Sequence, residues 1–68
     1  MITEEYQDEL DALLSRAVQN DDKLSQWESD FVGDLAKRLE LYGQALRVSV
    51  KQQDILDRIK KKLDEAGV

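Results

Sequence analysis

The amino-acid sequence contains no cysteine and no histidine. Without cysteine, the chain can build neither a disulfide framework nor a thiolate metal site. Without histidine, it lacks the commonest general base and the commonest metal ligand in proteins. At 68 residues the chain is one domain, and a domain this short buries only roughly 60% of its unfolded surface. We therefore expect its stability to depend on well-packed helices or on a second copy of the chain.

Long apolar runs are also missing. No stretch approaches the ~20 apolar residues that a membrane-spanning helix needs, so we predict no membrane association. The first residues, Met1 to Glu5, are acidic rather than basic, which argues against a secretory signal or an arginine-rich transit peptide. Together with the absence of cysteine, these features predict a cytoplasmic protein.

Motifs that carry catalysis or bind cofactors are missing as well. The sequence has no Gly-rich phosphate loop, and no spacing typical of a nucleophile with its base or of a metal-ligand cluster. Asp21 and Asp22 lack the spaced oxygen ligands and the glycine of a calcium loop, so this segment is predicted to form a turn. We therefore predict that the protein is not an enzyme and that it binds neither a cofactor nor a metal ion.

Two helix starts of the same type are present. Ser25 is followed three residues later by Glu28, and Ser49 is followed three residues later by Gln52. In such a capping box the serine side chain accepts a hydrogen bond from the backbone N–H three residues on, and the Glu or Gln side chain bonds back to the N–H of the serine. Each serine is therefore predicted to begin a helix. Gly43, which lies between them, is predicted to end the first of these helices in a left-handed conformation.

Apolar residues repeat at helical spacing in three segments, which predicts helices over about residues 3–19, 25–42 and 50–66. Thr3 is the predicted N-cap of the first helix. The connections are short, so neighbouring helices should run antiparallel. The predicted fold is all-α, a small three-helix bundle formed by residues 1–68 as a single domain. An open arrangement completed by homodimerisation is the alternative, because the core of one chain is thin.

The second predicted helix carries most of the aromatic residues, which dominate core energetics, and we therefore predict that it forms the centre of the core. Its Gly33 either permits close approach of another helix or is an uncommitted surface glycine. Leu46 and Val48 are predicted to attach the segment after Gly43 to the core. The predicted core-facing residues are Tyr6, Leu10, Leu13, Leu14, Ala17 and Val18 on the first helix, Trp27, Phe31, Val32, Leu35, Ala36, Leu39 and Tyr42 on the second, and Ile55, Leu56, Ile59, Leu63 and Ala66 on the third.

Charge is distributed unevenly, within a net charge of −5. Residues 1–30 carry nine acidic and two basic side chains, whereas residues 31–68 carry eight basic and six acidic ones. The acidic surface of the first helix either meets a basic partner, imitates nucleic-acid phosphates or keeps the chain solvated; its residues are Glu5, Asp8, Glu9 and Asp11. The basic residues of the third helix either contact phosphates or serve to complement the helix dipole and keep the surface solvated; they are Lys51, Arg58, Lys60, Lys61 and Lys62.

Residues 24–63 resemble a short helical module of phage replication and repair proteins, of the kind encoded beside the UvsW helicase of T-even phages. In that module a run Leu-Ser-x-Trp-Glu-x-x-Phe leads through a Gly elbow to Ser-x-Lys-Gln-x-x-x-Leu. Here the first run extends from Leu24 to Phe31, the elbow is Gly43, and the second run extends from Ser49 to Leu56. The second run is preceded by Val48 where the module has Leu. The resemblance implies a small helical fold and an association with DNA replication or repair.

Three functions remain open at this point. The first is an accessory protein that docks on a DNA-processing protein or on single-stranded nucleic acid through its third helix and the elbow. The second is an inhibitor whose acidic first helix occupies a basic, nucleic-acid-binding surface of a host protein. The third is a homodimeric structural or interaction protein in which the helices of two copies complete one core.

Overall fold

The computed structural model describes residues 1–68 and contains three α-helices and no strand. The helices are α1 (Glu4–Gln19), α2 (Gln26–Tyr42) and α3 (Val50–Ala66), joined by single 3-10 turns at Asp21–Lys23 and Gly43–Ala45. The predicted all-α three-helix bundle is therefore confirmed. None of the three helices combines the length and the apolar character that crossing a membrane requires.

The predicted helix starts are confirmed in atomic detail. Ser25 Oγ accepts a hydrogen bond from the N–H of Glu28 at 3.2 Å, and Glu28 Oε1 accepts one from the N–H of Ser25 at 2.9 Å. Ser49 and Gln52 repeat this reciprocal pattern at 3.1 and 2.9 Å. Thr3 Oγ1 accepts from the N–H of Tyr6 at 3.0 Å. These bonds satisfy donors that a helix N-terminus leaves without a partner, so the sequence alone determines where each helix begins.

The prediction for Gly43 is correct in φ only. Its φ of 54° is positive, as expected, but its ψ of −126° lies outside the left-handed helical region. The chain does not close a standard helix end here, because it continues directly into the 3-10 turn Gly43–Ala45. Gly67, after α3, does adopt the left-handed conformation, with φ 75° and ψ 24°.

Interhelix bonds define an up-down-up topology. The N–H of Ile2, just before α1, donates to the carbonyl of Gln44, just after α2, at 2.9 Å. At the other end of the bundle Glu28, in the first turn of α2, pairs with Lys62, near the end of α3, at 2.6 Å. The middle helix is therefore antiparallel to both neighbours, as predicted, and α1 and α3 run in the same direction.

The core is almost entirely aliphatic. Each helix contributes three residues, and Leu46 closes one end from the segment between α2 and α3, as predicted. Val48, also predicted there, is half-buried against the same cluster. The buried residues are Leu10, Leu14, Ala17, Val32, Leu35, Leu39, Leu46, Leu56, Ile59 and Leu63.

The prediction that Trp27 and Tyr42 on α2 face the core is wrong. Trp27 and Tyr42 are 60% and 58% exposed, and only Phe31 packs partly against the core. The reason is geometric, because four residues turn a helix by about 400°, so a row spaced by four drifts about 40° at each step. Three such steps separate Trp27 from Leu39, and the drift moves Trp27 to the flank of the helix while Leu39 faces inward. Val18 and Ala66, also predicted to face the core, are exposed at helix ends.

Gly33 is a surface glycine and not a point of close helix approach. A Cβ atom placed on it would meet nothing within 4 Å, and its φ is not positive. We therefore predict that Gly33→Ala raises the free energy of unfolding by about 0.5–1 kcal/mol, because alanine restricts the unfolded chain more and favours the helix. Urea unfolding followed by circular dichroism measures this. A destabilised variant would contradict the exposed position of Gly33.

Candidate functional site

An open groove separates the parallel helices α1 and α3. Its volume is about 460 Å³, and its lining combines apolar side chains with charged ones at the rim. We call it the α1–α3 groove; its lining residues are Tyr6, Glu9, Leu10, Ala12, Leu13, Arg16, Gln53, Leu56, Asp57 and Lys60.

Tyr6 joins the two walls of the α1–α3 groove at one end. Its hydroxyl donates a hydrogen bond to Oε1 of Gln53 on α3. Burial raises the pKa of the Tyr6 phenol above its usual 10.0, and the negative charges of Asp57 and Glu9 raise it further. Each effect disfavours the phenolate, so the hydroxyl stays a neutral donor.

Arg16 closes the other end of the groove. Its Nη2 atom lies 2.8 Å from Oδ1 of Asp64, and its Nε donates to the backbone carbonyl of Val68. Sequence reasoning missed this residue, because the partners lie far away along the chain and no local spacing indicates the contact. With Tyr6, Arg16 ties α1 to α3 at both ends and leaves the stretch between them open.

An apolar surface extends the groove beyond Tyr6. Ile2 and Val48 pack partly against the core there. Val50, the first residue of α3, is 90% exposed at the edge of this surface. Together with Tyr6 these side chains form a nearly continuous apolar strip next to the N-terminus of α1. The whole groove therefore offers a partner an apolar floor that is longer than the opening between Tyr6 and Arg16.

The predicted acidic residues are spread over the solvent side of α1. Glu9 lines the α1–α3 groove, whereas Asp11 lines a shallow pocket between α1 and α2. Glu5, Asp8, Glu9 and Asp11 are all exposed. None of the ion pairs in the structure involves them, and none of their side chains takes part in a hydrogen bond within the chain. No ion pair within the chain therefore neutralises these carboxylates, which repel one another where they lie one helical turn apart.

The predicted basic residues of α3 are all exposed but do not form one stripe. At about 100° per residue, Lys60 lies on the side of α3 opposite Lys51. Arg58 pairs with Asp54 at 3.2 Å, and Lys62 pairs with Glu28 at 2.6 Å. Lys51, Lys60 and Lys61 are the members without an ion pair.

The Glu28–Lys62 pair joins α2 to α3 through the capping box of α2. Oε1 of Glu28 accepts from Nζ of Lys62 and also from the N–H of Ser25. The bond from Lys62 lowers the pKa of Glu28 below its usual 4.5, the bond from Ser25 adds to this, and burial opposes it. Lys62, predicted as a phosphate contact, thus holds the bundle together.

No three acidic side chains come close enough together to form a metal site. The features with binding geometry are therefore the α1–α3 groove and the charged surfaces beside it. The chain was compared with models of protein families, with curated proteins and with solved structures, and none of them matches it.

Proposed function

We propose that this protein is a non-enzymatic accessory protein that acts by docking on another protein through the α1–α3 groove. The observation that carries the proposal is the position of the groove. An apolar floor of Leu10, Leu13 and Leu56 lies directly beside the exposed face of α1, whose carboxylates have no partner within the chain. Amphipathic helices of partner proteins commonly bind by placing their apolar side in a hydrophobic groove.

The charges define the chemistry of the partner segment. An amphipathic helix would place its apolar side on the groove floor and a row of Lys or Arg against Glu5, Asp8 and Glu9 of α1. Burying its apolar side supplies most of the affinity, and the charge pairing sets its orientation and speeds association. The resemblance of residues 24–63 to phage replication and repair modules supports a DNA-processing protein of the cytoplasm as the owner of that helix.

Docking on a protein has more support than direct binding of single-stranded nucleic acid. Nucleic-acid affinity comes mainly from lysine and arginine contacts to phosphates. On α3, however, Arg58 and Lys62 already hold carboxylates. Asp57 lies between Lys51 and Lys60 along α3, takes part in no ion pair and would repel phosphates.

Groove binding predicts a specific response to a single exposed alanine. Ala12 lines the groove and is exposed, so Ala12→Arg adds bulk and a repelling charge without disturbing the core. We expect this variant to bind a fluorescein-labelled, 18-residue Leu/Lys amphipathic peptide at least about tenfold more weakly, a loss of about 1.4 kcal/mol. Fluorescence anisotropy measures the affinity. The matched control is Ser15→Arg, which adds the same charge to an exposed position of α1 outside the α1–α3 groove.

A second set of variants separates docking from attraction by net charge. Neutralising Glu5, Asp8, Glu9 and Asp11 together should weaken peptide binding, whereas neutralising Asp21, Asp22, Asp30 and Glu40 should not. Both sets change the net charge equally, so equal losses would refute a site on α1. Salt-sensitive binding of labelled single-stranded DNA, abolished by changing Lys60, Lys61 and Lys62 to Glu, would instead favour nucleic acid as the partner.

The unpaired carboxylates of α1 also favour a second function, inhibition of a host protein. In that case Glu5, Asp8, Glu9 and Asp11 would occupy a basic surface on which the host protein binds nucleic acid. Competition separates the two functions. An inhibitor displaces labelled single-stranded DNA from its target, whereas an accessory protein binds its target and leaves the DNA in place.

A further inference from the structure

Most of one flank of α2 is exposed and lies outside the α1–α3 groove, although Phe31 on this flank is half-buried against the core. At its N-terminal end the rings of Trp27 and Phe31 stack, with centroids 5.9 Å apart and planes inclined by 13°. At its C-terminal end Leu41 and Tyr42 are 68% and 58% exposed. Exposed large apolar side chains at both ends of this flank would gain free energy from burial if another helix packed there.

The spacing along this flank is that of a coiled-coil seam. Trp27, Phe31, Asp34, Arg38 and Leu41 follow each other at intervals of four, three, four and three. That alternation keeps the residues on one side of the helix and is the pattern by which two helices pack side by side. We call these five residues the α2 seam. Its ends are apolar and its centre carries the Asp34–Arg38 ion pair, which is exposed and 3.1 Å long.

We propose that a second copy of this chain packs on the α2 seam, with the two α2 helices antiparallel about a two-fold axis. In an antiparallel pair of identical helices, the sequence numbers of any two residues that face each other add up to the same value, and this value defines the register. A sum of 72 places Asp34 against Arg38 of the partner twice, and Phe31 against Leu41 of the partner twice. These four layers match charge with opposite charge or apolar with apolar, whereas Trp27 would face position 45, beyond the end of α2 and outside the α2 seam.

The other register of the same seam is poorer. A sum of 65 places Phe31 against Asp34 of the partner and Trp27 against Arg38 of the partner. Each carboxylate would then face an aromatic ring and lose water without gaining a cation, which costs free energy. Self-complementarity of charge therefore selects both the partner, a second copy of this chain, and the register.

The size of the surface determines how tight the dimer is. A helix of 17 residues is about 25 Å long and, with its side chains, about 10 Å wide. One such pair of helices buries less than the roughly 1,200 Å² in total at which stable specific interfaces begin. The dimer is therefore weak and depends on concentration. Sedimentation at about 10 μM and about 1 mM spans the expected range, and the apparent mass should rise from 7.8 kDa towards twice that value.

Charge reversal tests the register directly. Asp34→Arg gives each seam two cations, and Arg38→Asp gives each seam two anions, so each variant alone repels its own copy and should stay monomeric at both concentrations. An equimolar mixture should dimerise again, because each cation then meets an anion across the seam. The pair within one chain cannot explain such rescue, since it is broken in both variants.

Matched controls lie outside the α2 seam. Glu40→Lys on α2 and Lys51→Glu on α3 make the same changes of net charge at exposed positions away from the seam and should leave dimerisation unchanged. Trp27 is the only tryptophan of the chain and stacks on Phe31, which faces Leu41 of the partner, so its fluorescence reports on that layer without a label. Its emission should shift to shorter wavelength at the concentrations at which the mass doubles.

Three results would overturn the proposal. One is a mass of 7.8 kDa for the unaltered chain at both concentrations. The second is a dimer that survives Asp34→Arg alone, which would locate the contact elsewhere. The third is a mixture of the two charge variants that stays monomeric. Like charges four residues apart weaken a helix by only about 0.2–0.5 kcal/mol, so each variant is expected to fold. Circular dichroism of each variant checks this.

Discussion

Replacing Ile59 with alanine is expected to remove a large part of the stability of the protein. Ile59 has no exposed surface and lies on α3 within the aliphatic core. Removing its buried methyl and methylene groups and leaving a cavity costs about 2–5 kcal/mol. At about 0.05–0.15 kcal/mol per residue, a chain of this length has a total stability of about 3–10 kcal/mol. The loss is therefore about half of the free energy of unfolding.

Urea unfolding followed by circular dichroism measures this loss, or shows directly that the variant is already unfolded in buffer. The matched control is Val50→Ala on the same helix. Val50 is 90% exposed, so its truncation should change the free energy of unfolding by less than about 0.5 kcal/mol. If Ile59→Ala were no more destabilising than Val50→Ala, the buried position of Ile59 would be wrong.

Glu28→Ala should be the most destabilising change of a charged residue, at about 1–2 kcal/mol. It removes one half of the capping box of α2 and the ion pair that ties α2 to α3. Its side chain is only 16% exposed, so the pair is less screened than an ordinary surface pair. Glu28→Gln should lose less stability than Glu28→Ala, because Gln52 shows that glutamine can complete the same kind of capping box.

The contribution of Glu28 should also depend on pH. Since folding lowers the pKa of Glu28 below 4.5, its stabilisation is fully present above that pH and is lost as the pH falls through the lowered value. The free energy of unfolding, measured with urea at pH 7 and pH 3, should therefore differ less between the native chain and Glu28→Gln at the lower pH. Glu40→Gln, on the exposed face of α2, is the control. A difference that stays constant between the two pH values would contradict the role of the Lys62 contact.

Helix positions were predictable because they depend on local chemistry. Thr3, Ser25 and Ser49 each bond to a backbone N–H three residues away, and such bonds need no knowledge of the rest of the fold. The aliphatic core was also largely predictable, since Leu10, Leu14, Leu35 and Leu39 follow helical spacing. It was harder to predict which residues become buried where a helix packs against two neighbours. The spacing of apolar residues gives the periodicity of the helix but not how much of its circumference is buried.

The candidate site was only partly predictable. The acidic face of α1 is visible in the sequence, since neighbouring residues on one helix create it. The groove beside it is not, because it exists only where α1 and α3 are held parallel by Tyr6–Gln53 and Arg16–Asp64. The contact between Lys62 and α2 was also not predictable from the sequence. Its partner, Glu28, is distant in sequence, and the capping box alone accounts for a Glu at that position.

The sequence by itself determined that this chain is helical, where its helices start and end, and that aliphatic residues form its core. Those properties follow from hydrogen bonds and periodicities that span three or four residues. The tertiary structure alone decided that Trp27 and Tyr42 lie outside the core, which cations are already paired, and that a groove opens between α1 and α3. These depend on how the helices are rotated and spaced against one another, and that packing is set by all the side chains together.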